Sequence, residues 1–135
     1  MHKIELNATT EGINRVTDFV NDILTSAGCP TKVMMQVDIV IDEMFSNIVR
    51  YAYGDIVGMA SVSVELTDEP RGVIITFTDT GKPFDPLQQE EPDVTLSAEE
   101  RRIGGLGIFI VRKTMDDVSY DYKDGKNILT IRKYF

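Results

Sequence analysis

Ser61-Val62-Ser63-Val64-Glu65-Leu66, followed by Glu69-Pro70-Arg71-Gly72 and then by Val73-Ile74-Ile75-Thr76-Phe77-Thr78-Asp79-Thr80-Gly81, is the stretch that decides the fold. Its first part alternates apolar Val62, Val64 and Leu66 with polar Ser61, Ser63 and Glu65, the period-2 pattern of a strand with one buried face. The residues up to Gly72 make a turn. The β-branched run after it predicts a second strand that ends at Asp79-Thr80-Gly81. Strands joined by so short a turn pair antiparallel.

Upstream of this hairpin the period is 3.6. Ile13, Val16, Val20, Ile23, Leu24 and Ala27 are spaced by three and four, which predicts a first helix. Thr9 or Thr10 can cap its start, and Gly28 can end it in the left-handed conformation. Pro30 suits the first turn of a second helix. Val33, Val37, Val40 or Ile41, Met44, Ile48 and Ala52 carry that helix to about Tyr53, where Gly54 breaks it. Residues 3–6 add an edge strand.

Downstream, residues 82–102 follow neither period and are dominated by Pro83, Pro86, Pro92 and acids. A stretch of this kind is more often a functional lid than a plain connection. Ile103-Gly104-Gly105-Leu106-Gly107 then opens a third helix over residues 108–115. Strands at 118–122 and 127–134 are joined across Asp124-Gly125, a strong hairpin signal. The expected fold is one α+β domain over residues 1–135. It is a two-layer sandwich in which three helices cover one face of a mostly antiparallel sheet.

Composition narrows the function. The 135 residues suit a single core, and 42% hydrophobic content is that of an ordinary globular chain. Fourteen basic against twenty-two acidic side chains give a net charge of -8, which disfavours a general affinity for nucleic acid or anionic membrane. A polyanion could still be held locally by backbone amides. Cys29 is the lone cysteine and His2 the lone histidine, so neither an internal disulfide nor a zinc site of those ligands is expected. No secretory signal and no membrane-length apolar run is visible, so a cytoplasmic protein is expected.

Three groups of residues carry chemistry. Gly104, Gly105 and Gly107 precede a helix, where bare backbone N–H groups and the helix dipole favour an anion. Taken alone, they are as readily a turn that happens to lead into a helix. Lys82 after Gly81 does not make a P-loop, because the glycine spacing is absent and Pro83 stands where a hydroxyl residue belongs. Glu43 and Asn47 are four apart and therefore share a face of the otherwise apolar second helix. An amide oxygen is a hard ligand suited to Mg2+, and a carboxylate one turn earlier could activate a nucleophile; the alternative is a solvated polar face. Asp79 could accept a hydrogen bond from an exocyclic amine with Gly81 allowing close approach, although Asp-x-Gly is by itself an ordinary turn.

Taken together, Glu43-Met44-Phe45-Ser46-Asn47, Asp79-Thr80-Gly81-Lys82-Pro83-Phe84-Asp85 and Gly104-Gly105-Leu106-Gly107 resemble the N, G1 and G2 boxes of the GHKL ATPase superfamily. Within it, the chain is similar to the anti-sigma-factor serine-protein kinases of bacterial partner-switching systems. The resemblance implies a histidine-kinase-like fold, ATP and Mg2+ as cofactors, and Glu43 as the general base. It implies Asn47 as the Mg2+ ligand, Asp79 on the adenine amino group and Gly81 beside the base. Gly104, Gly105, Leu106 and Gly107 would offer amides to the phosphates, and residues 86–103 would form the ATP lid, with Arg101 or Arg102 near the transferred phosphate. Many relatives carry a Thr after the last hairpin glycine to help hold adenine; here Lys126 and Asn127 occupy that stretch, and Asn127 is the residue that could substitute.

The activity implied is phosphoryl transfer from ATP to a serine or threonine of an anti-sigma-factor antagonist, by a homodimer that also binds and silences a sigma factor. A different class of function is a catalytically weak nucleotide-binding module that acts by sequestering a partner. The detached ATP-binding domain of a two-component histidine kinase is a third, disfavoured because no His-bearing dimerisation helix is seen.

Overall fold

The computed structural model describes residues 1–53, 56–88 and 105–135. Gly54, Arg101, Arg102, Gly104 and residues 89–103 of the expected lid lie outside the described residues. Among the described residues, five strands form one antiparallel sheet: β1 (His2–Asn7), β2 (Met59–Asp68), β3 (Arg71–Asp79), β4 (Asp117–Lys123) and β5 (Lys126–Tyr134). Their spatial order is β1-β2-β3-β5-β4, so β3 is central and the edge strands are β1 and β4. This explains why β3 reads as an almost unbroken apolar run, since it is flanked on both sides.

Three α-helices pack on one face: α1 (Gly12–Ser26), α2 (Thr31–Asn47) and α3 (Gly105–Thr114). One parity of each strand points at them. Val62 and Val64, Val73, Ile75 and Phe77, and Leu129 and Ile131 join Val16, Val20, Val37, Ile41, Phe45 and Val111 in a single buried cluster. The expected α+β two-layer sandwich is the one observed.

The boundaries differ in instructive ways. Leu66 has the inward parity but is 40% exposed. β1 begins opposite Val64, so beyond that point β2 has a neighbour on one side only. Neither Thr9 nor Thr10 caps α1 with its side chain; their backbone carbonyls accept from Gly12 N–H and Ile13 N–H instead. Glu11 is already helical there, whereas a side-chain cap needs an extended residue. At the other end Gly28 has φ +73°, with Cys29 N–H bonded to Leu24 C=O and Gly28 N–H to Thr25 C=O, the paired bonds of a Schellman ending. Pro30 stands one residue outside α2 rather than in its first turn.

Two departures shape the functional end of the molecule. The second helix reaches Ala52, but residues Ile48–Ala52 form a π-helical turn. The third helix begins at Gly105 rather than at 108, so part of the glycine cluster is helical. Glycine in a helix costs up to about 1 kcal/mol, and close packing at Gly107, described below, is the compensation.

Candidate active site

α2 carries two polar residues on an inward face. Asn47 is 4% exposed, and Glu43, one turn earlier, is half-buried. Glu43 Oε1 and Asn47 Nδ2 are buried atoms with no hydrogen-bond partner among the described residues. Burial pushes the Glu43 carboxyl above its usual range; the Asn47 amide and the Arg50 guanidinium oppose that shift without cancelling it. The amide approaches but stops short of a hydrogen bond. Orphaned buried polar groups cost about 1–3 kcal/mol each, so a pair of them marks a place built for something else to bind.

α3 meets this pair at its first turn. A Cβ built on Gly107 would fall 2.1 Å from Glu43 Cδ, so the carboxylate fills the space that glycine leaves open. Gly105, Leu106 and Gly107 occupy the positions where helix N–H groups have no intrahelical acceptor.

Asp79 closes β3 and is 4% exposed. Its Oδ1 accepts Gly81 N–H at 2.9 Å and Asn127 Nδ2–H at 2.9 Å. Burial raises this carboxyl too, against the pull of those two donors. Gly81 lies on the end of the π turn: a Cβ there would sit 2.3 Å from Ala52 O. Lys82 N–H donates to that same carbonyl at 2.8 Å, satisfying a helix-end acceptor that would otherwise be orphaned. Tyr53 adds a strut, its hydroxyl accepting Thr80 N–H at 3.0 Å and donating to Met59 C=O.

Asn47, Asp79 and Asn127 line one pocket, about 350 Å³ of space not filled by atoms. Its walls are apolar, from Met44, Ile48, Phe77 and Leu129, and a few polar groups converge on it. That is the make-up of a small-molecule site. Tyr120 and Phe84 also line it and were not singled out in the sequence. Phe84 stacks on Tyr51 with ring centroids 4.5 Å apart. Tyr120 has the inward parity of β4, a signal legible only once the pairing with Leu129 is known.

Residues 6–133 match the family described as histidine kinase-like ATPase domain. The chain belongs to that family. Among relatives of this histidine kinase-like ATPase domain, the serine/threonine-protein kinase BtrW of Bordetella bronchiseptica is 31% identical over 93 residues, 69% of this chain. The match spans 65% of BtrW, less than two thirds of its length. Serine-protein kinase RsbW of Listeria monocytogenes is 28% identical over 129 residues, 93% of this chain and 82% of that protein. These relatives are in keeping with the GHKL branch that the three boxes resemble.

Solved structures with the histidine kinase-like fold include the SiaB-SiaC complex from Pseudomonas aeruginosa, with a TM-score of 0.60 and 16% identity over 98% of this chain and 89% of that one. The histidine kinase domain of the blue-light activated kinase EL346 from Erythrobacter litoralis has a TM-score of 0.58 and 12% identity, over 93% and 60%. At these identities the likeness speaks for the fold.

The donor set can be tested against the metal that the family implies. Among the described residues no three His, Cys, Asp or Glu side chains lie together as a metal cage. One amide beside one carboxylate fits an Mg2+ ion that brings water and phosphate oxygens with it. Among the described residues no helix is long and apolar enough to cross a membrane.

Proposed function

We propose that this domain binds ATP and transfers its γ-phosphoryl group to a serine or threonine hydroxyl of an anti-sigma-factor antagonist, acting as the anti-sigma kinase of a partner-switching system. The observation that carries this is the Glu43–Asn47 pair, with its orphaned buried atoms set between the Asp79 pocket and the first turn of α3.

In this reading Asp79 accepts from the adenine amino group, and Gly81 leaves room for the ring. Asn47 holds Mg2+, which when bound offsets phosphate charge. The N–H groups at Gly104, Gly105, Leu106 and Gly107 receive the phosphates, as helix N-termini do. Glu43, its carboxyl raised by burial, is the better base for it and takes the proton of the acceptor hydroxyl. Positioning and electrostatics supply most of the acceleration in phosphoryl transfer. The same reading makes the protein a cytoplasmic homodimer that also holds a sigma factor. Its net charge of -8 argues against direct contact with nucleic acid.

One observation favours a second reading, a catalytically weak module that sequesters its partner. Both amide hydrogens and both lone pairs of Asn127 are spent on protein groups, leaving nothing to hold adenine through water. Intact-mass measurement of a candidate antagonist separates the two. Kinase action adds one phosphoryl group only with Mg-ATP, and the gain disappears in Glu43→Ala. Binding of the antagonist without any mass gain would select the sequestering module, and undiminished transfer by Glu43→Ala would remove Glu43 as base.

A further inference from the structure

The polar side of the pocket contains a residue that none of the three boxes includes. Tyr120, on β4, donates its hydroxyl hydrogen to Asn127 Oδ1. The orientation of the Asn127 amide is not open to choice, because two backbone groups of fixed polarity set it. Phe84 N–H, which can only donate, meets Oδ1 at 3.0 Å, and Lys82 C=O, which can only accept, meets Nδ2 at 2.8 Å. The second Nδ2 hydrogen therefore points at Asp79 Oδ1, which also receives Gly81 N–H. An oxygen holding two donors cannot itself carry a proton. Asp79 Oδ2 has no hydrogen-bond partner among the described residues, which leaves it to meet a ligand.

We propose that Tyr120 is a specificity-determining positioning residue: acting through Asn127, it keeps Asp79 presenting a hydrogen-bond acceptor, so that the pocket takes a 6-amino purine and rejects a 6-oxo purine. This rests on the reading of the pocket as a nucleotide site. Hydrogen bonds in a chain polarise one another. Two donors on Asn127 Oδ1 strengthen the donation of Nδ2 into Asp79, and that donation favours the carboxylate over the carboxylic acid. A carboxylate Oδ2 attracts an exocyclic N–H and repels a carbonyl oxygen. The carboxylic acid could instead donate to that carbonyl. Without the tyrosine hydroxyl the chain loses its first link, and the barrier against the 6-oxo ring falls.

The test is titration calorimetry of the full chain with Mg-ATP and with Mg-ITP, which differs at the 6-position of the ring. Wild type is expected to bind ATP at least roughly tenfold tighter. Tyr120→Phe keeps the ring and removes only the hydroxyl; it should narrow the ATP-to-ITP ratio by about three- to tenfold. In an Asn127→Ala background the same change should leave the ratio where it is. A structural role alone would weaken both nucleotides together, so an unchanged ratio in Tyr120→Phe overturns the inference while leaving the ATP site standing. Wild type that binds neither nucleotide overturns the nucleotide reading itself, and the inference with it.

Discussion

Asp79 and Asn127 are register partners across β3 and β5, and Asn127 Nδ2 donates to Asp79 Oδ1 at 2.9 Å. The contact ties a residue of the G1 box to the last hairpin, 48 positions further along the chain. Through Lys82, whose carbonyl and N–H reach Asn127 and Ala52, it also ties both to the end of the second helix. The pocket is held by hydrogen bonds between elements far apart in sequence.

Asn47→Ala should remove the Mg2+-dependent part of ATP affinity and leave the fold intact. The side chain is buried, yet its Nδ2 bonds to no described group, so truncation removes no hydrogen bond from that atom. Comparing ATP titrations with and without Mg2+ checks this, alongside a thermal melt. Equal Mg2+ dependence in variant and wild type would dismiss Asn47 as the ligand.

Glu43→Gln should make the protein more stable at neutral pH while abolishing phosphoryl transfer. Burial raises the Glu43 carboxyl, so the folded protein holds that proton more tightly than the unfolded chain does. The stability this contributes is fully present below the unfolded carboxyl value, about 4.3, and is lost as pH rises through the folded value. Glutamine never ionises and escapes the loss. Discounted for partial solvent screening, the gain is about 0.5–1 kcal/mol, or roughly 2–5 °C in Tm. Thermal melts of both proteins from about pH 4 to about pH 7 should show the gap widening upward; a gap that narrows would contradict the burial argument.

Much of this was legible before any coordinates. Period 2 in β2 and β3 and period 3.6 in α1 and α2 gave the layers, because burial on one face dictates those spacings. Asn47, Asp79 and Gly81 were found because each breaks the apolar pattern around it. Tyr120 was not, since an aromatic on an edge strand reads as ordinary sheet and its partner Asn127 depends on register. The π turn was invisible for a related reason: Ile48 and Ala52 keep a helical spacing whichever helix type the backbone adopts.

Gly107→Ala separates structure from chemistry. The new methyl would collide with the Glu43 carboxylate, the mobile end of a side chain, so the collision is relieved by moving Glu43 and stability should change by less than about 1 kcal/mol. Transfer should fall by at least roughly tenfold, because a general base works only within hydrogen-bond reach. Single-turnover transfer and a melt on the same sample measure the two effects. Full activity would place the working position of Glu43 elsewhere.

Gly81→Ala and Gly125→Ala test two different needs for glycine. At Gly81 the methyl would meet backbone atoms of Ala52 that cannot step aside, and a loss of about 2–3 kcal/mol with failure of nucleotide binding is expected. At Gly125 space is open and only the φ of +77° is at issue, so about 1–2 kcal/mol should be lost with binding unchanged. Urea unfolding reads both. Equal effects on binding would show that the Ala52 contact is not what shapes the pocket.

The π turn at Ile48–Ala52 has a consequence for how this segment can change over evolutionary time. A single-residue deletion there would restore an ordinary α-helix, better formed locally, but would rotate everything after it by about 100°. The Ala52 carbonyl would then turn away from Lys82, and the two halves of the binding cleft would lose their shared anchor. Side chains in this segment can therefore drift while its length stays frozen.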